Sequence, residues 1–220
     1  RLIYASSAAT YGNGSSGFDD SEDINFLKNL KAMNVYGWTK NQIDLRNIFL
    51  KNNLGISPPQ WIGLKFFNVY GNNEYHKEDM ISVVLKTFIQ IKKNQETNLF
   101  KSYKKTYKDG EQKRDFIYVK DCIKTLLWFL ENKNVSGIFN IGTGFSSTFN
   151  DLVSNVYKCL NKNVNLRYVE MPNSIRKQYQ YKTEANLNKL RNVGYDKKFY
   201  SIREGISDYI KILEASDILS

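Results

Sequence analysis

With 220 residues, 41% of them hydrophobic and 25% charged, the chain can bury a substantial core in one or two domains, and no signal peptide or membrane-spanning apolar run is read in it. The net charge of +10 comes from lysines spread along the chain, densest in KSYKKTYK at 101–108; this argues against nucleic acid and for attraction of a small phosphate-bearing substrate. Cys122 and Cys159 form no ligand spacing and His76 is the single histidine, so no metal site and a reducing cytoplasm are expected.

In chain order, the patterning predicts a strand at 2–6 ending in Ser6 and Ser7, a helix at 34–53, a strand at 60–67 and a helix at 80–93. Strands at 97–101 and 114–118 come next, then a helix at 119–133 and a strand at 137–141 that runs into the glycine turn of FNIGTG. A helix from Thr148 or Asn150, a strand at 164–169, and helices at 183–192 and 202–214 complete the chain. The last helix carries the stripe Ile202, Ile206, Tyr209, Ile210 and Leu213. Alternating strands and helices without an internal repeat indicate an α/β fold.

The chemistry concentrates in NVYGWTK at 34–40. Tyr36 and Lys40 lie four residues apart and so project from one side of a helix, and a positive charge beside a phenol favours its ionised form. Ser7, at the end of the first strand, offers a hydroxyl to the reacting oxygen of an alcohol. With 15 tyrosines in a lysine-rich chain a Tyr-x-x-x-Lys match also arises by chance, so an ordinary surface pair is the competing reading. Trp38, Leu45 and Phe49 share another face of the helix, expected to turn toward the core, although a partner could cover it as readily.

Five segments, YASSAATYG at 4–12, NVYGWTK, FFNVYG at 66–71, KRDFIYVKD at 113–121 and FNIGTG at 139–144, occur in an order that resembles the extended short-chain dehydrogenase/reductases acting on nucleotide sugars. The resemblance runs from Ile3 to about Leu213. It implies the C-terminal portion of a Rossmann-like doubly wound sheet (1–74 and 114–144) and a smaller α/β substrate-binding domain (75–113 and 145–220). Within the family, YHKEDM at 75–80, LWFLEN at 127–132 and RNVGYDKKF at 191–199 look most like the epimerases that invert a carbon of an ADP-heptose nucleotide sugar for the lipopolysaccharide core. Ala8 and Ala9 stand where the related 4,6-dehydratases carry an Asp-Glu pair, so a dehydratase is not expected.

The resemblance implies transient oxidation at carbon six by bound NADP, with NAD possible, and re-reduction on the other face. Tyr36 matches the first acid/base, Lys77 the second, Lys40 the residue on the nicotinamide ribose and Ser7 the hydroxyl that orients substrate. Val69 and Lys77 match cofactor contacts. Asn68, Arg114, Tyr179 and the segment Phe100, Lys101, Ser102 and Tyr103 match substrate contacts, while Asp79 and Lys86 fall where relatives carry Ser and His. A lysine suits acid/base work where burial or a neighbouring cation favours its neutral form.

No glycine-rich loop for a dinucleotide pyrophosphate follows a strand in this chain. The expectation is therefore a fragment that binds NADP poorly alone, epimerises nothing measurable, and bares a sheet edge; the full-length enzyme is expected to be a homo-oligomer joined through the Tyr/Lys helix. A UDP-hexose 4-epimerase using NAD, with no need of Lys77, and a non-catalytic remnant are the alternatives. The stretches 13–33 and 104–113 are longer than the resemblance leads one to expect.

Overall fold

Leu2–Ser7 forms strand β1, and the Ser7 hydroxyl ends it by capping the 3-10 turn Ala8–Tyr11 that follows. The computed structural model describes residues 1–216; residues 217–220, the end of the expected 145–220 segment, lie outside the described residues. Helix α1 is Ile24–Asn29 and helix α2 is Val35–Leu54, the latter capped by Asn34, whose side chain accepts from the Gly37 N–H at 2.8 Å, and closed by left-handed Gly55. Strands β2 (Trp61–Phe66) and β3 (Asn68–Tyr70) lead through a 3-10 stretch, Tyr75–Met80, to α3 (Val83–Lys92). Then come β4 (Thr97–Phe100), β5 (Lys113–Tyr118), α4 (Val119–Glu131), β6 (Gly137–Ile141), β7 (Ser146–Thr148) and α5 (Phe149–Cys159). The chain finishes with β8 (Leu166–Val169), α6 (Asn173–Arg176), α7 (Asn188–Asn192) and α8 (Ile202–Ala215). Thr148 with Asp151, and Ser201 with Glu204, form capping boxes that start α5 and α8.

Strands β1, β2 and β6 form a parallel sheet in that order. Side-chain alternation sends Ile62, Leu64, Phe139 and Ile141 to a core shared with Phe129 of α4 and Leu190 of α7. Trp61 and Ile138 point the other way, to Leu27 of α1 and Ile48 of α2. Both faces are thus covered, as parallel strands require. A second core joins α3, α5 and α8 through Val84, Phe88, Leu152, Val156, Ile206 and Tyr209, beside the β3-β5-β7 sheet and the β4-β8 pair.

The two outer edges of the parallel sheet differ. The outer side of β1 has no strand partner among the described residues. On β6, Asp20 accepts from the Asn140 N–H at 2.9 Å and Glu22 from the Ile138 N–H at 3.2 Å, while Lys189 bonds Glu22 at 2.6 Å. The unexplained 13–33 stretch therefore supplies carboxylates to an edge that would otherwise leave N–H groups open. Burial pushes Glu22 up, but Lys189 and the Ile138 N–H outweigh it and hold the carboxyl below its ordinary value. A folded-state value below the unfolded one gives stability that is present above about pH 4.3 and is lost as pH falls through the lowered value. Glu22→Ala is expected to cost about 2 kcal/mol in urea unfolding at neutral pH and to flatten the acid limb of the stability curve. An unchanged limb would show that the carboxylate does not guard the edge.

Two expectations need correction. The buried residues of α2 are Gly37, Asn41, Asp44 and Ile48, whereas Trp38 and Phe49 are 57% and 46% exposed and Leu45 is only partly buried. The helix packs through a polar stripe because that stripe finds partners on other elements, Asn41 donating to Leu27 O and Asp44 meeting Lys65. Likewise, within 183–192 only Asn188–Asn192 are helical. Residues 183–185 run alongside β5, where Thr183 N–H bonds Lys113 O and Ala185 N–H bonds Asp115.

Candidate active site

Parallel strands deliver their carboxyl ends to one rim of a sheet: β1 ends there at Ser7, and Asn68, the first residue of β3, follows two residues after the end of β2. Alternation divides the paired serines. The Ser6 hydroxyl is buried and donates to Asp44 at 2.7 Å, while Ser7, half-buried, accepts from Ala9 N–H at 3.1 Å. On α2, Lys40 Nζ stands 5.7 Å from the centre of the Tyr36 ring and donates to Ala5 O at 2.8 Å. Helix and turn approach closely at Gly37, where an added Cβ would lie 2.5 Å from Ala9 O.

A buried network underlies this corner. Lys65, in the middle of β2, and Asp44, on α2, are fully buried and meet at 2.7 Å. Asp44 also accepts from the Tyr4 hydroxyl at 3.0 Å, and Lys65 donates to Thr10 Oγ1 at 2.8 Å, whose hydroxyl donates to Ser7 O at 2.9 Å. Burial pushes the Lys65 ammonium below the ordinary lysine value against the pull of Asp44.

A cleft of about 620 Å³ opens beside the Tyr36 end of α2. Of the expected residues it is lined by Tyr36, Asn68, Val69, Lys77, Arg114 and Tyr179, which lie far apart in sequence. Lys77 is exposed, on the 3-10 stretch Tyr75–Met80. Arg114 is 6% exposed, its guanidinium 4.9 Å from the Tyr179 ring centre and 5.8 Å from that of Phe149. It bonds Lys113 O at 2.9 Å and has no carboxylate partner among the described residues. Burial pushes its value down, although an arginine stays charged. The wall of the cleft thus holds a fixed cation with donors available to an anion. Behind it Asp115, pushed up by burial, accepts from Thr143 N–H and hydroxyl, Gly144 N–H and Ala185 N–H, tying the FNIGTG turn to 183–185.

The remaining expected residues lie outside the lining. Lys40 stands beside the ring of lining residue Tyr36, and the Ser7 hydroxyl is turned to the Ala8–Tyr11 turn, where it accepts from Ala9 N–H. Exposed Lys86 donates to the backbone of Asp79 at 2.5 Å. Phe100 packs edge-on to Tyr179 at 6.4 Å. Lys101 pairs with Glu170 at 2.8 Å, the Tyr103 hydroxyl bonds the same carboxylate, and Ser102 N–H bonds Asp109 at 2.7 Å. Sequence reasoning missed Asp44, Lys65, Glu74 and Asp115; a charged residue inside the apolar run WIGLKFF was the available signal for Lys65.

The residues at this rim would suit the nicotinamide ribose end of a dinucleotide. One ammonium hydrogen of Lys40 is used on Ala5 O, leaving two for ribose hydroxyls, and Val69 offers an apolar wall. Among the described residues no cluster of His, Cys, Asp and Glu could hold a metal, and no helix is long and apolar enough to cross a membrane.

The chain is 46% identical over 217 residues to the ADP-L-glycero-D-manno-heptose-6-epimerase of Fusobacterium nucleatum, a match covering 96% of this chain and 64% of that protein. It therefore spans slightly less than two thirds of the length of that relative. The crystal structure of Helicobacter pylori ADP-L-glycero-D-manno-heptose-6-epimerase superposes with a TM-score of 0.74 at 28% identity, over 97% of this chain and 60% of that one. A UDP-N-acetylglucosamine 4-epimerase from Methanobrevibacter ruminantium, in complex with UDP-N-acetylmuramic acid, shares the fold at a TM-score of 0.79 and 21% identity, over 97% and 62%. Residues 1–142, well over half of the chain, match the family model described as NAD dependent epimerase/dehydratase, and the chain belongs to that family.

Proposed function

We propose that this protein epimerises carbon six of ADP-glycero-manno-heptose in the cytoplasm, for the lipopolysaccharide core, with NADP as cofactor. The observation that carries the reading is a single cleft lined by Tyr36 and Lys77, the two acid/base candidates, together with the uncompensated cation Arg114. Bound NADP supplies the acceptor of the hydride in the first step and its donor in the second. Tyr36 takes the alcohol proton as the C–H hydride leaves, producing a ketone, and Ser7 orients the reacting oxygen. Lys40 holds the nicotinamide ribose and sets a positive charge beside the Tyr36 ring. The ketone turns in the cleft, and Lys77 delivers the proton when hydride returns to the other face. Arg114, stacked on Tyr179, holds the diphosphate while the sugar turns. The exposed apolar stripe of Val35, Trp38 and Phe49 on α2 suits a homo-oligomer.

The test is Lys77→Ala in the complete protein, assayed with each heptose epimer. Epimerisation is expected to fall by on the order of 10²- to 10⁴-fold with cofactor binding retained. Unchanged turnover would remove the two-base mechanism, and interconversion of UDP-hexoses without ADP-heptose turnover would replace the substrate.

A further inference from the structure

Lys77 has no packing of its own. Residues 76–80 are all exposed; where the 3-10 stretch meets the rest of the fold, Lys77 N–H bonds Glu74 O at 3.1 Å, Ile81 N–H bonds Glu78 O at 3.3 Å and Lys86 Nζ of α3 donates to Asp79 O at 2.5 Å. Glu78 breaks the helical path with φ of 48°, a conformation that a residue other than glycine keeps only when its surroundings impose it. With no packed side chain inside the loop, its position depends on the exposed Lys86 bond to Asp79 O and on what joins its two ends.

At those ends stands one carboxylate. Glu74, 3% exposed, accepts from the Ser82 N–H and the Ser82 hydroxyl, each at 2.6 Å, and from the Tyr209 hydroxyl at 3.1 Å. The first two bonds join residue 74 to residue 82 and close the loop. The third fastens the closure to α8. Ser82 caps α3 independently, accepting from the Leu85 N–H at 3.2 Å, so capping does not call for Glu74. No lysine or arginine pairs with this carboxylate among the described residues, so its buried charge is held by neutral donors alone. Such charge-assisted bonds are short and directional, as a fixed clamp requires.

We infer that Glu74 is the positioning residue for Lys77: by closing the 74–82 loop and fastening it to α8, it holds the Lys77 ammonium over the cleft. The inference rests on Lys77 being the second acid/base group. Glu74 also lines the cleft, but both its carboxylate oxygens are engaged by Ser82 and Tyr209, so its assigned part is to hold the loop and not to exchange a proton. Its loss lets Lys77 wander while Tyr36, on another element, stays in place.

The experiment compares Glu74→Ala, Glu74→Gln, Ser82→Ala and Lys77→Ala in the complete protein. Glu74→Ala is expected to lower kcat by on the order of 10²-fold while KM moves by less than about threefold. Glu74→Gln, which keeps an acceptor oxygen, recovers part of that loss. In single turnovers, the epimer whose alcohol proton goes to Tyr36 still reduces the bound nicotinamide at the wild-type rate. The other epimer, whose proton goes to Lys77, slows by the same factor as kcat. Equal slowing of both epimers, or no slowing, overturns the positioning role. Should Glu74→Ala not fold, Ser82→Ala decides by the same comparison of epimers. If Lys77→Ala leaves both half-reactions intact, the two-base mechanism has failed; if Lys77→Ala is inactive and Glu74→Ala is not impaired, only the positioning role has failed.

Discussion

Asp44→Ala is expected to destabilise the fold by about 3–5 kcal/mol, because it strands the fully buried Lys65 ammonium without its counter-charge. The pair is fully buried, and the substitution also removes the acceptor of the Ser6 and Tyr4 hydroxyls, leaving three donors without the bond they now make. Rearrangement has little room. An added Cβ at Gly63 would lie only 2.5 Å from the Tyr4 hydroxyl, a measure of how tightly that side chain is enclosed. Removing both charges should behave differently, since two apolar residues of similar volume carry no desolvation cost. The double variant Asp44→Leu, Lys65→Met is therefore expected to recover most of the lost stability, a coupling that urea unfolding of the two single variants and the double variant measures directly. Additive losses would show that the pair is not a unit. On the proposed mechanism, turnover of the complete protein carrying the double change should remain low even so, because Lys65 also holds Thr10, and Thr10 holds the backbone of Ser7.

Tyr36→Phe should show the opposite pattern. Its ring is 56% exposed and its hydroxyl bonds no described residue, so losing the oxygen should change stability by less than about 0.5 kcal/mol. On the proposed mechanism, turnover of the complete protein should nevertheless drop by on the order of 10²- to 10⁴-fold, the usual contribution of a positioned acid/base group. Melting temperature and epimerisation measured on the same preparation separate the two quantities. A stability loss that matches the activity loss would reassign Tyr36 to structure, and retained turnover would remove it from the chemistry.

Comparison of α2 with the loop after β3 shows what could be read without coordinates. The extent of α2 was legible, because Asn34 caps it and Gly55 ends it through bonds that span only a few residues. Its packing face was not. Trp38 and Phe49 are the larger apolar side chains, yet Asn41 and Asp44 are buried, because the partners that make their burial tolerable, Leu27 O and Lys65, arrive from other elements. The same limit hid Glu74, which carries no local signature and acquires its role only where Ser82 and Tyr209 meet it. Asp20 and Glu22 likewise read as a polar stretch until β6 presents its N–H groups.

Ser7, Tyr36 and Lys40 stood out by spacing, since a strand end and one helical turn are local geometries that residue order dictates. Lys77, Arg114 and Tyr179 stood out by resemblance alone, and only tertiary structure put them on one cleft with Tyr36. The amino-acid sequence by itself determined the alternation of strands and helices and the helix caps, because those depend on backbone bonds and side-chain periods a few residues long. Which charges could be buried, which edge of the sheet is covered and which side chains share the cleft were decided by the fold, because a buried polar group is tolerable only beside a partner, and these partners lie 8 to 135 residues away along the chain.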